Sequence, residues 1–214
     1  MSKVLKCANI GIDAFVNVHL RTASSNDLPL IIEMENELWP EGQRCSEENF
    51  LKRIATYNAG FILAFDNYGK LVGTFYCVKR NFTPKRGKYT WYSESGDGAG
   101  STHLNGGNAL FGISVTVRPV APKGTLRMLF NGWRSLAKEE SLSYIFGGSR
   151  IPGLSTFSGN PEEYLSLVKG RKLFDPVLSK YMSCDMKVGN LIPQYFRDSE
   201  SCDFGVEVYD LIIF

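Results

Sequence analysis

The chain has 214 residues, with 24 lysines and arginines against 22 aspartates and glutamates, and it is 43% hydrophobic and 13% aromatic. That length supports one domain with a full core, or at most two small ones, and the composition is globular rather than disordered. A net charge of +2 gives neither the electrostatic footprint of a nucleic-acid binder nor a polybasic membrane patch, so no nucleic-acid partner is expected.

Residues 1–16 show no clear period and read as an N-terminal extension, leaving residues 17–214 as the domain. Lys3 and Lys6 precede a mildly apolar segment, but Asp13 interrupts it and no small-residue cleavage pattern follows, so a secretory signal is not expected. From Val16, VNVHLRTAS alternates as a strand that ends at Arg21. A helix follows, with Asn26 or Asp27 as cap and Leu28, Ile31, Ile32, Glu35 and Leu38 stepping round it until Trp39-Pro40. Ser46 opens a second helix with Phe50, Leu51, Ile54 and Ala55 as its apolar stripe. Two strands, 61–65 and 71–78, are joined by Asp66-Asn67-Tyr68-Gly69 as a hairpin.

Between Asn81 and Asn108 the pattern breaks into a stretch with six glycines and almost no aliphatic residue. We read residues 83–108 as a glycine-rich insert whose length points to function or disorder, with Trp91, Tyr92 and His103 arguing for order. Beyond it come a strand at 110–118, a helix at 124–139, a buried strand at 142–150, helices at 162–169 and 175–183, and strands in MKVGNLI and FGVEVYDLII. In the helix after the insert, Leu126, Leu129, Phe130, Trp133, Leu136 and Ala137 form a buried face while Arg127, Arg134 and Lys138 look outward. The order β, α, α, β, β, β, α, β, α, α, β, β predicts an α/β fold, a mixed central sheet with helices on both faces.

Cys7, Cys45, Cys77, Cys184 and Cys202 are odd in number and scattered, with no C-x-x-C and no histidine at ligand spacing. They read as reduced thiols in a cytoplasmic protein without a metal site. No apolar run approaches the roughly 18 residues of a membrane span.

The turn from Arg118 to Thr125 joins a strand to a helix, placing the amides of Lys123, Gly124 and Thr125 at the end of a central strand. Such a turn either merely connects or presents helix N-terminal amides to a phosphate, and a lone Gly124 does not choose between them. The choice comes from a resemblance. From VNVHLRTASSNDL onward the chain resembles the GCN5-related N-acetyltransferase (GNAT) fold, and YTWYSESGDGAGSTHLNGGNALFGISV, GGSRIPG, KLFDPVL and IPQYFRDSESCDFGV resemble a subfamily fused to nitrilase-like hydrolases and related to polyketide-associated GNAT-like domains. It covers nearly all of the chain after residue 16.

The resemblance implies an N-acyltransferase that moves an acyl group from a pantetheine thioester to an amine, with acyl-CoA, acetyl-CoA foremost, or an acyl carrier protein as donor and a small molecule as acceptor. Pantetheine would lie along Ser114, Val115, Thr116 and Val117, and the pyrophosphate over Ala121, Pro122, Lys123, Gly124, Thr125, Leu126 and Arg127. The family's phosphate loop is Q/R-x-x-G-x-G/A; here only the middle glycine survives, Leu126 stands where a small residue is usual, and Lys123 and Arg127 would compensate by charge. Tyr181, four residues before Asp185-Met186 where the family has Gly-Phe, would protonate the departing thiolate or simply pack its helix. A phenol of pKa ~10 can donate to a thiolate whose acid is near ~8.5. His103 would act as base toward the amine, or bond backbone in its loop; Trp91 would wall the substrate, or pin the insert; Ser149 and Arg150 would meet an acceptor carboxylate or carrier phosphate, unless Arg150 forms an internal salt bridge. His19 reads as structural, and Asp198, Glu200 and Asp203 as a solvated turn. The alternatives are an enzyme that loads or decarboxylates an acyl thioester, and a degenerate module that binds the thioester without turnover. Against decarboxylation, GGSRIPG continues LSTF, without a histidine to protonate an enolate.

Overall fold

The computed structural model describes residues 17–84 and 88–214; the extension expected over 1–16, with Cys7, lies outside them. The elements in chain order are β1 (Val18–Thr22), α1 (Leu28–Leu38), α2 (Glu47–Tyr57), β2 (Phe61–Asp66), β3 (Leu71–Arg80), α3 (Trp91–Ser95), β4 (Ala109–Val117), α4 (Thr125–Glu139), β5 (Tyr144–Arg150), α5 (Pro161–Lys169), α6 (Leu178–Ser183), β6 (Lys187–Ile192) and β7 (Gly205–Leu211). The strands form one sheet ordered β1-β2-β3-β4-β5-β7-β6. Every neighbouring pair is antiparallel except β4 with β5. The expected mixed sheet with helices on both faces is what the chain forms. Among the described residues, no helix is long and apolar enough to cross a membrane.

Alternation along the strands sends residues to two cores. Leu20, Ile62, Phe75, Leu110 and Val208 pack with Leu129, Phe130 and Trp133 of α4 on one face. Leu63, Tyr76, Phe111 and Phe146 pack with Ile31 and Met34 of α1 and Phe50 of α2 on the other. Arg134 departs from the outward face expected for it: its Nε donates to Asp210 of β7 at 2.9 Å and its Nη2 to the Cys184 carbonyl at 2.7 Å. The helix expected from Asp175 begins three residues later because that carboxylate is consumed as a cap. It is fully buried and accepts from the amides of Val177 and Leu178 and from the Tyr164 hydroxyl.

The described part of the insert is ordered. Thr90 caps α3, Arg80 pairs with Glu94 at 2.9 Å, and Asn108 exchanges two hydrogen bonds with the backbone of Phe82. Two glycines show why the segment is glycine-rich. Gly98 and Gly100 have φ of 83° and 79°, and a Cβ on Gly100 would lie 2.3 Å from the Tyr76 hydroxyl. Left-handed turns pressed onto the sheet admit no side chain there.

Gly148 of β5 faces the ring of buried Tyr195, and a Cβ there would lie 2.1 Å from its Cζ. Gly148→Ala is expected to destabilise by about 2 kcal/mol, read as a lower urea midpoint. Gly147→Ala, whose Cβ meets nothing nearer than the Gly112 carbonyl at 3.4 Å, should change stability by less than about 0.5 kcal/mol.

Candidate functional site

The site begins where β4 and β5 part. They pair at only three positions, Ala109 with Tyr144, Leu110 with Ile145 and Phe111 with Phe146, while β4 runs on to Val117 and β5 to Arg150. The cause is local. The register of β4 against β3 shifts between Tyr76↔Ser114 and Cys77↔Gly112, so Ile113 is an extra residue that bends β4. Past the bulge the facing edges of the two strands are unpaired with each other, and Gly147 presents no side chain between them.

Three polar side chains from the α1–α2–α3 face fix the free stretch of β4. The Trp91 indole donates to the Ile113 carbonyl at 2.8 Å, Arg53 Nη1 to the Ser114 hydroxyl at 3.1 Å, and the Trp39 indole to the Thr116 hydroxyl at 2.9 Å. Val115 and Val117 turn the other way, toward α4. Trp91 is therefore both at the opening and a pin for the insert; it also meets Phe196 edge to face at 5.2 Å. Arg53 and Trp39 were not among the candidate site residues, although Ser114 and Thr116 were, since nothing in the spacing of Trp39, Arg53 and β4 marks them as neighbours.

Tyr181, of α6, lies on the opposite side of the sheet, packed against the core that holds α4. Its ring meets Phe130 edge to face at 5.2 Å, and its hydroxyl has no hydrogen-bond partner among the described residues. Burial pushes its pKa up to about 12, with Cys184 adding to the rise. Tyr195, on Gly148 from the other side, is pushed well above the ordinary phenol value by burial, and Tyr89 and Tyr181 are among the groups that raise it further. The two phenols belong to the cores on opposite faces of the sheet. Asp185 has φ of 64°, which accounts for glycine being usual there; aspartate is among the few side chains that tolerate the left-handed region.

The turn before α4 keeps a left-handed glycine at the start of the helix. Gly124 caps α4 with φ of 94°, and no side chain satisfies the first-turn amides. Lys123 is exposed, whereas Ala121 and Leu126 pack on the core. The Thr125 hydroxyl and amide both turn back to the Pro122 carbonyl, at 2.7 and 3.1 Å. Arg127 pairs with Asp185 at 2.6 Å and bonds the Ser183 carbonyl.

His103 is not brought to the opening. Its Nδ1 accepts from the Lys79 amide at 3.2 Å, Nε2 bonds Asn105 at 3.0 Å, and its ring lies 4.3 Å from that of Tyr57. Lys79 pairs with Leu110, at the end of β4 before the bulge, away from Tyr181. With both ring nitrogens engaged and burial lowering its pKa, the imidazole serves as a fastener for the insert.

Arg150 and Ser149 are likewise committed internally. Ser149 is fully buried and its hydroxyl donates to the Arg150 carbonyl at 2.7 Å. Arg150 grips Asp198 through two bonds, at 2.7 and 2.8 Å, and reaches Glu200 at 2.9 Å. The solvated turn expected for Asp198, Glu200 and Asp203 is corrected for Asp198, which is 4% exposed and also accepts from the Ser201 hydroxyl. An aspartate needs such a cation to be buried at all. Cys45, Cys77, Cys184 and Cys202 are unbridged.

No protein-family model matches the chain. It is 26% identical over 200 residues to YkwB, an uncharacterized N-acetyltransferase of Bacillus subtilis, covering 90% of this chain and 88% of that one. It is 24% identical over 183 residues to YhcX, a probable hydrolase of the same bacterium, covering 84% of this chain but 35% of the relative. Among solved structures, GphF, a GNAT-like decarboxylase in complex with isobutyryl-CoA, superposes with a TM-score of 0.77 at 25% identity over 91% of this chain and 100% of that one. The fold is that of the GCN5-related N-acetyltransferases, and the chain resembles their GNAT-like branch.

Burial pushes the Asp198 carboxyl up, but the bonds from Arg150 and Ser201 outweigh it and hold it below the ordinary value. A carboxyl lowered by folding contributes its stabilisation above the unfolded pKa of ~3.9 and loses it as pH falls toward the folded value. Arg150→Ala is expected to cost about 3 kcal/mol at neutral pH, with the loss shrinking below pH ~4 in urea titrations. Adding Asp198→Asn should recover part of it.

Proposed function

We propose that this protein is an acyltransferase that moves an acyl group from a pantetheine thioester to an amine. The observation that carries the reading is the opening between β4 and β5. Two strand edges unpaired with each other and a glycine at their junction suit an extended amide-bearing chain ending in a thioester.

Acyl-CoA, with acetyl-CoA foremost, fits these residues as donor. The β4 edge from Ser114 to Val117 would hold the pantetheine amides as an added strand, and the uncapped start of α4 with exposed Lys123 would face the phosphates. Backbone N–H groups beside the bulge would favour negative charge developing on the thioester oxygen. Tyr181 would return a proton to the departing sulfur. Its raised pKa suits this task, because the group stays protonated throughout the working range and is never lost as a donor. Thr125 adds nothing to the phosphate grip, and Arg127 is engaged with Asp185. A donor whose arm carries a single phosphate, on a carrier protein, is compatible with the same turn.

A loading or decarboxylating activity on an acyl thioester is the second reading, favoured by the likeness to a GNAT-like decarboxylase. Both readings share the slot and differ in the fate of the acyl group.

Incubation with acetyl-CoA, malonyl-CoA and the same groups on a carrier protein, followed by mass spectrometry, tests the proposal. Binding and amine-dependent release of free thiol are expected. Tyr181→Phe should slow release ~100-fold, and wild-type turnover should show no alkaline decline from this group below pH ~11. Thiol release untouched by Tyr181→Phe would refute the proton-donor role, and absence of thioester binding would refute the acyltransferase reading.

A further inference from the structure

Two arginines, Arg53 and Arg118, are buried among the described residues, and they are balanced very differently. Arg118 pairs with Glu37 and Glu33 of α1. Arg53 is 3% exposed and has no carboxylate within ion-pair distance among the described residues. Its Nε donates to the Gly98 carbonyl at 2.7 Å and its Nη1 to the Ser114 hydroxyl at 3.1 Å, while the plane lies between the rings of Phe50 and Tyr76, each 5.1 Å away. Nη2 has no hydrogen bond there. Glu35 feels the charge of Arg53, but its carboxylate is engaged by the Cys45 amide at 2.8 Å.

A guanidinium carries five donors in a planar fork matched to a carboxylate, and burying one without a paired anion is costly. Here the cost falls at a telling place. Ser114 is half-buried on the free stretch of β4 just past the bulge, so the charge lies directly beneath a reachable hydroxyl in the opening.

We propose that Arg53 and Ser114 form a carboxylate-binding subsite, and that the acceptor amine carries the carboxylate. This rests on the acyl-transfer reading above. The assignment to the acceptor follows from sidedness. Tyr181, which would serve the departing sulfur, approaches from the α4–α6 face, whereas Arg53 approaches from the α1–α2–α3 face. The nucleophile enters from the side away from the leaving group's proton donor. The short reach from Ser114 to the bulge selects a small amino acid, with amine and carboxylate close together.

Matched acceptors decide the matter: glycine against glycinamide, with acetyl-CoA as donor and kcat/KM expressed per free amine. A preference for glycine of at least ~10-fold is expected, as for a charge-assisted contact. Arg53→Gln should collapse the preference toward unity, read as the ratio of kcat/KM for the two acceptors so that any loss common to both cancels, and Arg53→Lys should keep part of the preference. Ser114→Ala, which leaves the guanidinium in place, serves as the second variant should Arg53→Gln fail to fold. A direct binding arm separates the subsite from the reaction: saturable thermal stabilisation of wild type by N-acetylglycine, but not by N-acetylglycinamide, supports the subsite even if no turnover occurs. Equal use and equal binding of acid and amide overturns it. Arg53-dependent binding confined to malonyl-CoA overturns the assignment to the acceptor. Failure of acetyl-CoA to bind at all refutes the acyl-transfer reading and leaves the N-acetylglycine arm to judge Arg53 and Ser114 by itself.

Discussion

Everything in this molecule that suits chemistry depends on β4 and β5 being unable to stay paired. Unpaired backbone groups inside a sheet are costly unless something else satisfies them, so a parting at the centre of the sheet has to be enforced. It is enforced from β3, whose register with β4 slips by one residue at Ile113. The slip turns Ile113 and Ser114 toward the same face and re-aims the rest of β4. Three donors then hold the bent strand, from Trp39, Arg53 and Trp91. Each comes from a different element, so the opening is braced along its whole free length rather than at one point.

The insert makes sense as part of that bracing. Gly98 and Gly100 let its turns press onto Arg53 and Tyr76, α3 carries Trp91 to the bulge carbonyl, and His103 fastens the far end to Lys79. The last connection does the same for β5: Arg150 and Asp198 tie GGSRIPG to the turn before β7, and the ring of Tyr195 lies flat on Gly148 and Gly205. GGSRIPG and IPQYFRDSESCDFGV, two of the four segments that carry the family resemblance, are therefore partners in space, and their residues serve the scaffold of the opening more than its surface.

Much of the architecture was legible because apolar periodicity reports burial directly. The stripe of α4, the hairpin of β2 and β3 and the strand–turn–helix after β4 all lie where the alternation put them, and the order of elements implied the mixed sheet. The site was less legible because its contacts span long separations. Nothing in one sequence says that Trp39 meets Thr116, or that Arg53 meets Ser114. His103 and Arg150 kept two roles open for the same reason: a histidine in a glycine-rich loop and an arginine at a strand's carboxyl end suit catalysis as well as they suit fastening, and only their partners distinguish the two. Asp198 looked solvated because charged residues cluster around it, but burial is a property of its pairing with Arg150 and Ser201, not of its neighbours in sequence.

The relation between the turn before α4 and the opening bears on how a donor is held. In this chain the turn keeps Gly124 in the left-handed region and leaves α4 uncapped, yet its side chains are spent elsewhere: Thr125 on Pro122, Leu126 on the core, Arg127 on Asp185. The pairing of Arg127 with Asp185 joins the first turn of α4 to the residue after the end of α6 across the surface. The Arg127 charge is thereby spent within the chain. Under the acyl-transfer reading, affinity for the donor then shifts from the phosphates to the pantetheine arm, where strand-like hydrogen bonding along β4 is indifferent to what lies beyond the first phosphate. Under that reading the site would discriminate weakly between a free nucleotide-linked thioester and one presented on a protein, and would leave that choice to the exposed surface around Lys123.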